Sequence, residues 1–146
     1  ISEEEYNNIE NKVVDKRNIF NEKDRTEFLK SCKNKCEICS SLVRLCIDHW
    51  RPYSKYKISD KGLAVLLCET CNNIHHNHDS SVFLKKFKDN TLFLKNYIKI
   101  EMRVRNNGFL PTNEDMIKNN DNIKKLIDYI KSKQICSKLQ HLVMNI

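Results

Sequence analysis

The stretch Cys68-Glu69-Thr70-Cys71-Asn72-Asn73-Ile74-His75-His76 decides how this chain is read. A C-x-x-C pair sets two thiolates at about the spacing a tetrahedral metal ion takes, and it is too tight for most disulfides. A second pair, Cys36-Glu37-Ile38-Cys39, lies upstream with 28 residues between the two, each pair where a turn is expected. Two such knuckles supply the four thiolates of a structural zinc site, which can contribute about 10–16 kcal/mol to folding. Cys32 offers an alternative ligand in C-x3-C with Cys36 but lacks the knuckle spacing, and Cys46 and Cys136 read as plain buried thiols. A metal clip by itself has no use for the Asn and His residues crowded against Cys71.

Outward from the knuckles the texture is that of a small α+β unit. Residues 42–48 (LVRLCID) alternate Val43, Leu45 and Ile47 against Arg44, Cys46 and Asp48, as a half-buried strand does. Residues 51–62 are polar and read as a loop, and Leu63–Leu67 (LAVLL) is a short apolar strand running into Cys68. From Asn72 the pattern turns helical, with Val82, Phe83, Leu84, Phe87, Leu92, Leu94, Tyr97 and Ile98 in a run to about Arg105. Asn107-Gly108 breaks it. Thr112 and Asp115 cap a further helix that carries Met116, Ile123, Leu126, Ile127 and Ile130 on one face, and a last helical segment spans about 136–143. Upstream, Ser2 and Glu5 form a capping box, so residues 2 to 20 are expected to be helical with Ile9, Val13, Val14 and Phe20 inward. EKDRTEFLKSC is a second helix leading to the first knuckle. The 146 residues read as one domain: a helical extension over 1–31, an organised core over 32–88 and a helical region over 89–146.

Net charge is +7 and the pI is near 9.0, which favours a polyanionic partner, nucleic acid first. Seven cysteines cannot all pair within one chain, and paired thiols at metal spacing point to a reducing, cytoplasmic setting. No apolar run approaches the roughly 18–20 residues that span a bilayer, and no secretory apolar region opens the chain. A membrane partner is not expected.

Between the knuckles lies Cys46-Ile47-Asp48-His49-Trp50-Arg51-Pro52. Neighbours on a strand point to opposite faces, so Asp48 and His49 reach one substrate only if the strand ends there and bends. Asn72 is pinned by the second knuckle at a helix start. An Asp oxygen and an Asn oxygen make a hard-ligand pair suited to Mg²⁺ or Mn²⁺.

The series CxxC, then Asp48-His49 with Pro52 three residues past the His, then LLCxxCN with His75 three past the Asn, resembles the HNH endonucleases. These are the ββα-metal nucleases, and the likeness is to the branch clamped by zinc on four cysteines. It covers Cys36 to about His78, under a third of the chain. It implies a treble-clef-like ββα-metal core flanked by N- and C-terminal helices. Structural zinc would sit on Cys36, Cys39, Cys68 and Cys71, and a catalytic Mg²⁺ or Mn²⁺ on Asp48 and Asn72. His49 would be the general base, and His75 would touch the metal or a phosphate. His76 and His78 read as spare surface residues. Many members carry an Asn at the start of the second strand to brace the base. Leu63 stands in that place here, so another residue must brace His49 or the brace is dispensable.

Arg51, Lys55, Lys57 and Lys61, interleaved with Tyr53 and Tyr56, form a basic loop after His49 and are candidate phosphate contacts, while Trp50 is expected to pack beneath it. The leading expectation is a metal-dependent endonuclease of double-stranded DNA, a type II restriction enzyme first. A homing, recombination or phage nicking enzyme of the same fold is the alternative within the class. Cutting two strands with one site per chain suggests a homodimer, with the apolar stripes at 82–104 and 116–130 as candidate interfaces. From another class, a non-catalytic zinc-dependent nucleic-acid-binding module would share the clamp and the charge. It would have no need of Asp48, His49 and Asn72 at one point.

Overall fold

The computed structural model describes residues 13–15, 17–77 and 80–144. At its centre the strands β2 (Leu45–His49) and β3 (Ala64–Cys68) pair antiparallel, Leu45 opposite Cys68 and His49 opposite Ala64. A two-residue strand, β1 (Val14–Asp15), adds to β2 in parallel and completes a three-stranded sheet in the order β1-β2-β3. Helices α1 (Glu22–Ser31), α3 (Glu69–Asn77), α4 (Ser80–Phe87), α5 (Thr91–Asn106) and α6 (Asn113–Met144) surround it, and one helical turn, α2 (Tyr53–Tyr56), lies between the paired strands. The architecture is α+β.

Burial explains the strands. The half-buried alternation expected for residues 42–48 does not hold: Val43 and Arg44 precede the strand, and Leu45, Cys46 and Ile47 are all buried. β3 is buried along its whole length. Burial on both sides is why the two paired strands are apolar throughout their cores. β3 passes directly into α3, which starts at Glu69, three residues before the expected start at Asn72. Cys68 and Cys71 therefore straddle a strand-to-helix junction.

Other boundaries moved as well. Residues 2–12 of the expected first helix lie outside the described residues. From Val13 the chain is extended, because the β-branched Val13 is buried against the core and Asp15 folds the next turn by accepting from the backbone N–H groups of Ile19 and Phe20. The run expected from Asn72 to Arg105 is divided among α3, α4 and α5, and the Asn90 side chain caps α5 by accepting from Phe93 N. Gly108 has φ +97°, where a side chain would be strained, and ends that layer as expected. The segment 136–143 is no separate helix but the end of α6. Cys136, expected to be buried, is exposed there.

Leu94, Ile100 and Val104 of α5 meet Ile123, Leu126 and Ile130 of α6 in the core. The buried residues of the two apolar stripes considered as dimer interfaces thus belong to this chain's own interior, while Val82, Leu92, Met102 and Ile117 are exposed. Among the described residues no helix is long and apolar enough to cross a membrane.

Candidate functional site

Four sulfurs come first. Cys36, Cys39, Cys68 and Cys71 bring their Sγ atoms within 4.8 Å of one another, with Cys39 and Cys68 at 3.6 Å. Thiolates at tetrahedral corners about 2.3 Å from zinc stand ~3.8 Å apart, so the cluster could hold a metal such as zinc. The titration of the sulfurs points the same way. Hydrogen bonds from Cys68 and Cys71 drive Cys36 below the usual thiol range, Cys71 is driven up by Cys36 and Cys68, and burial pushes Cys39 up to about 12. Cys32 is outside the cluster, and burial raises its thiol to about 12.

The first knuckle is fastened to the rest of the core. Glu37 N donates to Leu66 O at 2.8 Å and Glu37 Oε2 accepts from Leu66 N at 2.8 Å, while Asn96 of α5 holds Ile38 O at 2.9 Å. Arg103 pairs with the Glu37 carboxylate at 2.5 Å. The knuckle is thereby tied to β3 and α5.

The clamp positions a second group of side chains. Asp48 sits near the end of β2, and Asn72 follows Cys71 on α3, its Nδ2 donating to Asp48 Oδ2 at 3.3 Å. His76 Nε2 also lies 3.3 Å from Asp48 Oδ2, close but not aligned as a hydrogen bond. Asn72 Oδ1 and His76 Nε2 are buried polar atoms with no hydrogen-bond partner. Buried polar groups are normally satisfied. Asp48, Asn72 and His76 could between them offer N and O donors to a divalent ion. Burial works to raise Asp48, but His76, the His49 backbone N–H and Asn72 outweigh it and hold the carboxyl at about 2, so it is ionised at neutral pH.

His49 is fully buried at 0% exposure, its ring 5.9 Å from that of Tyr53. Nε2 is 3.1 Å from Ser59 Oγ, and Nδ1 is buried with no partner. Loss of solvation lowers its pKa, against the pull of Asp48. The ring is therefore neutral at pH 7 and able to accept a proton.

Sequence reasoning placed His75 at the metal and His76 at the surface; the structure arranges them otherwise. His75 stacks on Trp50 with centroids 3.6 Å apart, its Nε2 2.7 Å from Trp50 O and its Nδ1 3.4 Å from Tyr97 Oη. Lost solvation takes its pKa down to about 4. Both nitrogens are engaged in packing. A signal for His76 was in the sequence: Asn72 and His76 are four apart and share a helix face. His78 lies outside the described residues.

The basic loop divides. Arg51, expected at a phosphate, is buried: its Nη1 and Nη2 donate to Glu101 at 2.6 and 2.5 Å, and Phe109 O accepts from the same guanidinium. Glu101, 1% exposed, also takes Trp50 Nε1 at 3.1 Å and Arg105 Nε at 2.8 Å. Lys55 pairs with Asp115 at 2.5 Å and Lys61 with Asp24, all partly solvated, while Lys57 is exposed, 5.8 Å from the Tyr53 ring centre. Trp50 is buried, packed against His75 and Tyr97 of the helices. Glu101 and Ser59 went unnoticed in the sequence, since neither belongs to a local pattern. Compared with protein-family models, with curated proteins and with solved structures, the chain matches none.

Proposed function

We propose that this chain is a metal-dependent DNA endonuclease of the HNH type, and that it cuts double-stranded DNA as a restriction-type enzyme. One observation carries the reading. An ionised Asp48, with Asn72 Nδ2 and His76 Nε2 each 3.3 Å from its carboxylate, stands beside a four-cysteine clamp, and a neutral His49 is its neighbour on β2. A binding module needs the clamp and the charge of +7, but not that convergence.

On this reading zinc belongs to the four cysteines and is structural. Asp48, Asn72 and His76 would hold Mg²⁺ or Mn²⁺, which when bound supplies charge stabilisation at the phosphate and at the leaving 3′ oxygen. The protein's own part is proton transfer and placement. His49 Nδ1 takes a proton from a water whose oxygen forms the new bond to phosphorus, as the bond from phosphorus to the 3′ oxygen breaks and that oxygen is protonated from solvent. Lys57 supplies exposed positive charge, and Lys55 and Lys61 add to it by exchanging their carboxylates for phosphates. The shielding of His49 calls for the Tyr53 ring beside it to turn aside when DNA docks, while Ser59 stays at Nε2.

The test is plasmid cleavage by the zinc-loaded protein with Mg²⁺ or Mn²⁺, wild type beside His49→Ala. Cleavage by the wild type alone, reduced about 10²–10⁴-fold in the variant, supports the reading, and discrete fragments support sequence-specific cutting. Salt-sensitive DNA binding by both with no cleavage by either would overturn it in favour of the binding module.

A further inference from the structure

We propose that Ser59 is the positioning residue for His49, holding the ring as the Nε2–H tautomer so that Nδ1 carries the free lone pair. The proposal rests on the nuclease reading for its purpose but on geometry for its substance. Leu63, in the place where the HNH pattern has its bracing Asn, is apolar and buried and makes no side-chain hydrogen bond. The only side chain hydrogen-bonded to the His49 ring among the described residues is Ser59, at 3.1 Å from Nε2.

The two groups can share one proton in two ways. In the first, Nε2–H donates to Ser59 Oγ and Nδ1 is bare. In the second, the Ser59 hydroxyl donates to Nε2 and the proton sits on Nδ1. The surroundings choose between them. Nδ1 is buried with no hydrogen-bond partner among the described residues, and an orphaned buried N–H is rarer in folded proteins than an under-used acceptor. Ser59 itself is exposed, so its own O–H has water to donate to, and its oxygen is free to accept. The first arrangement satisfies every donor. It leaves unsatisfied only the lone pair that a base needs.

The loop holding Ser59 is built to stay in place. Lys57 ends α2 in the left-handed conformation at φ 57°, and Asp60 Oδ1 accepts from Gly62 N at 2.7 Å. Gly62 O accepts from Asn107 Nδ2 at 3.0 Å, and a Cβ at Gly62 would meet Phe109 Cε2 at 2.8 Å. Trp50 N donates to Leu63 O at 2.8 Å, tying the two ends of the loop together beside His49. A hydroxyl on this loop fixes a ring at the end of β2 as an Asn on the strand would.

The experiment uses the full chain, zinc-loaded and free of Mg²⁺, with ¹⁵N-labelled histidine at a pH where His49 is neutral. His49 is assigned by its loss in His49→Ala, and long-range ¹H–¹⁵N correlation reads which ring nitrogen holds the proton. The wild type is expected in the Nε2–H form, Ser59→Ala as a tautomer mixture, and Ser59→Thr, which keeps the hydroxyl, restored. In plasmid cleavage Ser59→Ala should lose about 10- to 100-fold in kcat with KM unchanged and Ser59→Thr should recover most of it. A wild-type ring protonated on Nδ1, or a Ser59→Ala ring that keeps a pure Nε2–H form, would overturn the proposal. A protein with the expected tautomer pattern that cuts no DNA instead sinks the nuclease reading and leaves the hold of Ser59 on the ring standing.

Discussion

His75 lies flat on Trp50 while His76 turns to Asp48, although the two are adjacent on α3. At about 100° per residue His76 falls ~40° from Asn72 around the helix and His75 ~60° to the other side. That difference assigns them different work. His75→Ala removes a stacked, doubly hydrogen-bonded ring and should cost about 1–3 kcal/mol of stability, visible in a denaturant titration, while Mg²⁺-dependent cleavage of the folded fraction survives. His76→Ala should do the reverse. Stability should stay within about 0.5 kcal/mol, and cleavage at limiting Mn²⁺ should fall about 10- to 100-fold, with partial recovery as the metal is raised. A His76→Ala enzyme with unchanged metal dependence would remove His76 from the ligand set.

Among the elements, the joint between β2 and the α5–α6 layer is a single buried carboxylate. Glu101 takes hydrogen bonds from Trp50, Arg51 and Arg105 at the point where β2 ends. Removing one member of a buried pair leaves the other charge uncompensated, so Glu101→Ala should destabilise by about 3–5 kcal/mol, measurable by urea unfolding. The acid response follows from the shift. Burial works to raise Glu101, but Arg51, Arg105 and Trp50 outweigh it and its pKa is lowered. A group depressed in the folded state contributes stability above its unfolded value, and loses that contribution as pH falls through the folded one. The gap in stability between wild type and Glu101→Gln should therefore be full at pH 7 and shrink once pH drops below about 4.3. The far half of α6 is a contrasting element: residues 131–136, Leu139 and Leu142 are exposed. Ending the chain after Lys133 should leave unfolding within about 0.5 kcal/mol of the full protein, whereas Leu126→Ala, in the core, should cost about 2–5 kcal/mol.

For the whole molecule the four-cysteine cluster is the keystone, because β3, α3 and the first knuckle all meet there. Stripping a bound metal with a strong chelator, or replacing Cys71 by Ser, should melt the β2–β3–α3 unit cooperatively, since apparent binding energies of about 10–16 kcal/mol for such sites are folding energies. Loss of far-UV circular dichroism that returns on adding Zn²⁺ is the expected result. A chain that keeps its melting temperature under chelation would show that apolar packing alone holds the centre.

How much of this the sequence contained depended on the range over which each feature is fixed. The knuckles, the apolar strand before Cys68, the break at Asn107-Gly108 and the place of Asp48, His49 and Asn72 beside the clamp were legible, because each follows from residues within a few positions or from one specific spacing. The first helix misled at Val13 because extended backbone beside β2 buries Val13 in the core, leaving Val14 exposed. The phase of α3 against β2, the meeting of Arg51 with a carboxylate 50 residues away, and the approach of Ser59 to His49 from across a loop belonged to the tertiary structure alone. Local spacing sets which side chains can share a turn, whereas the packing of one element on another sets which way that turn faces. The sequence by itself thus determined that four cysteines would gather and that Asn72 would stand beside them. Only the folded chain decided which histidine stands with Asp48, which arginine is spent inside, and which side chain meets the His49 ring.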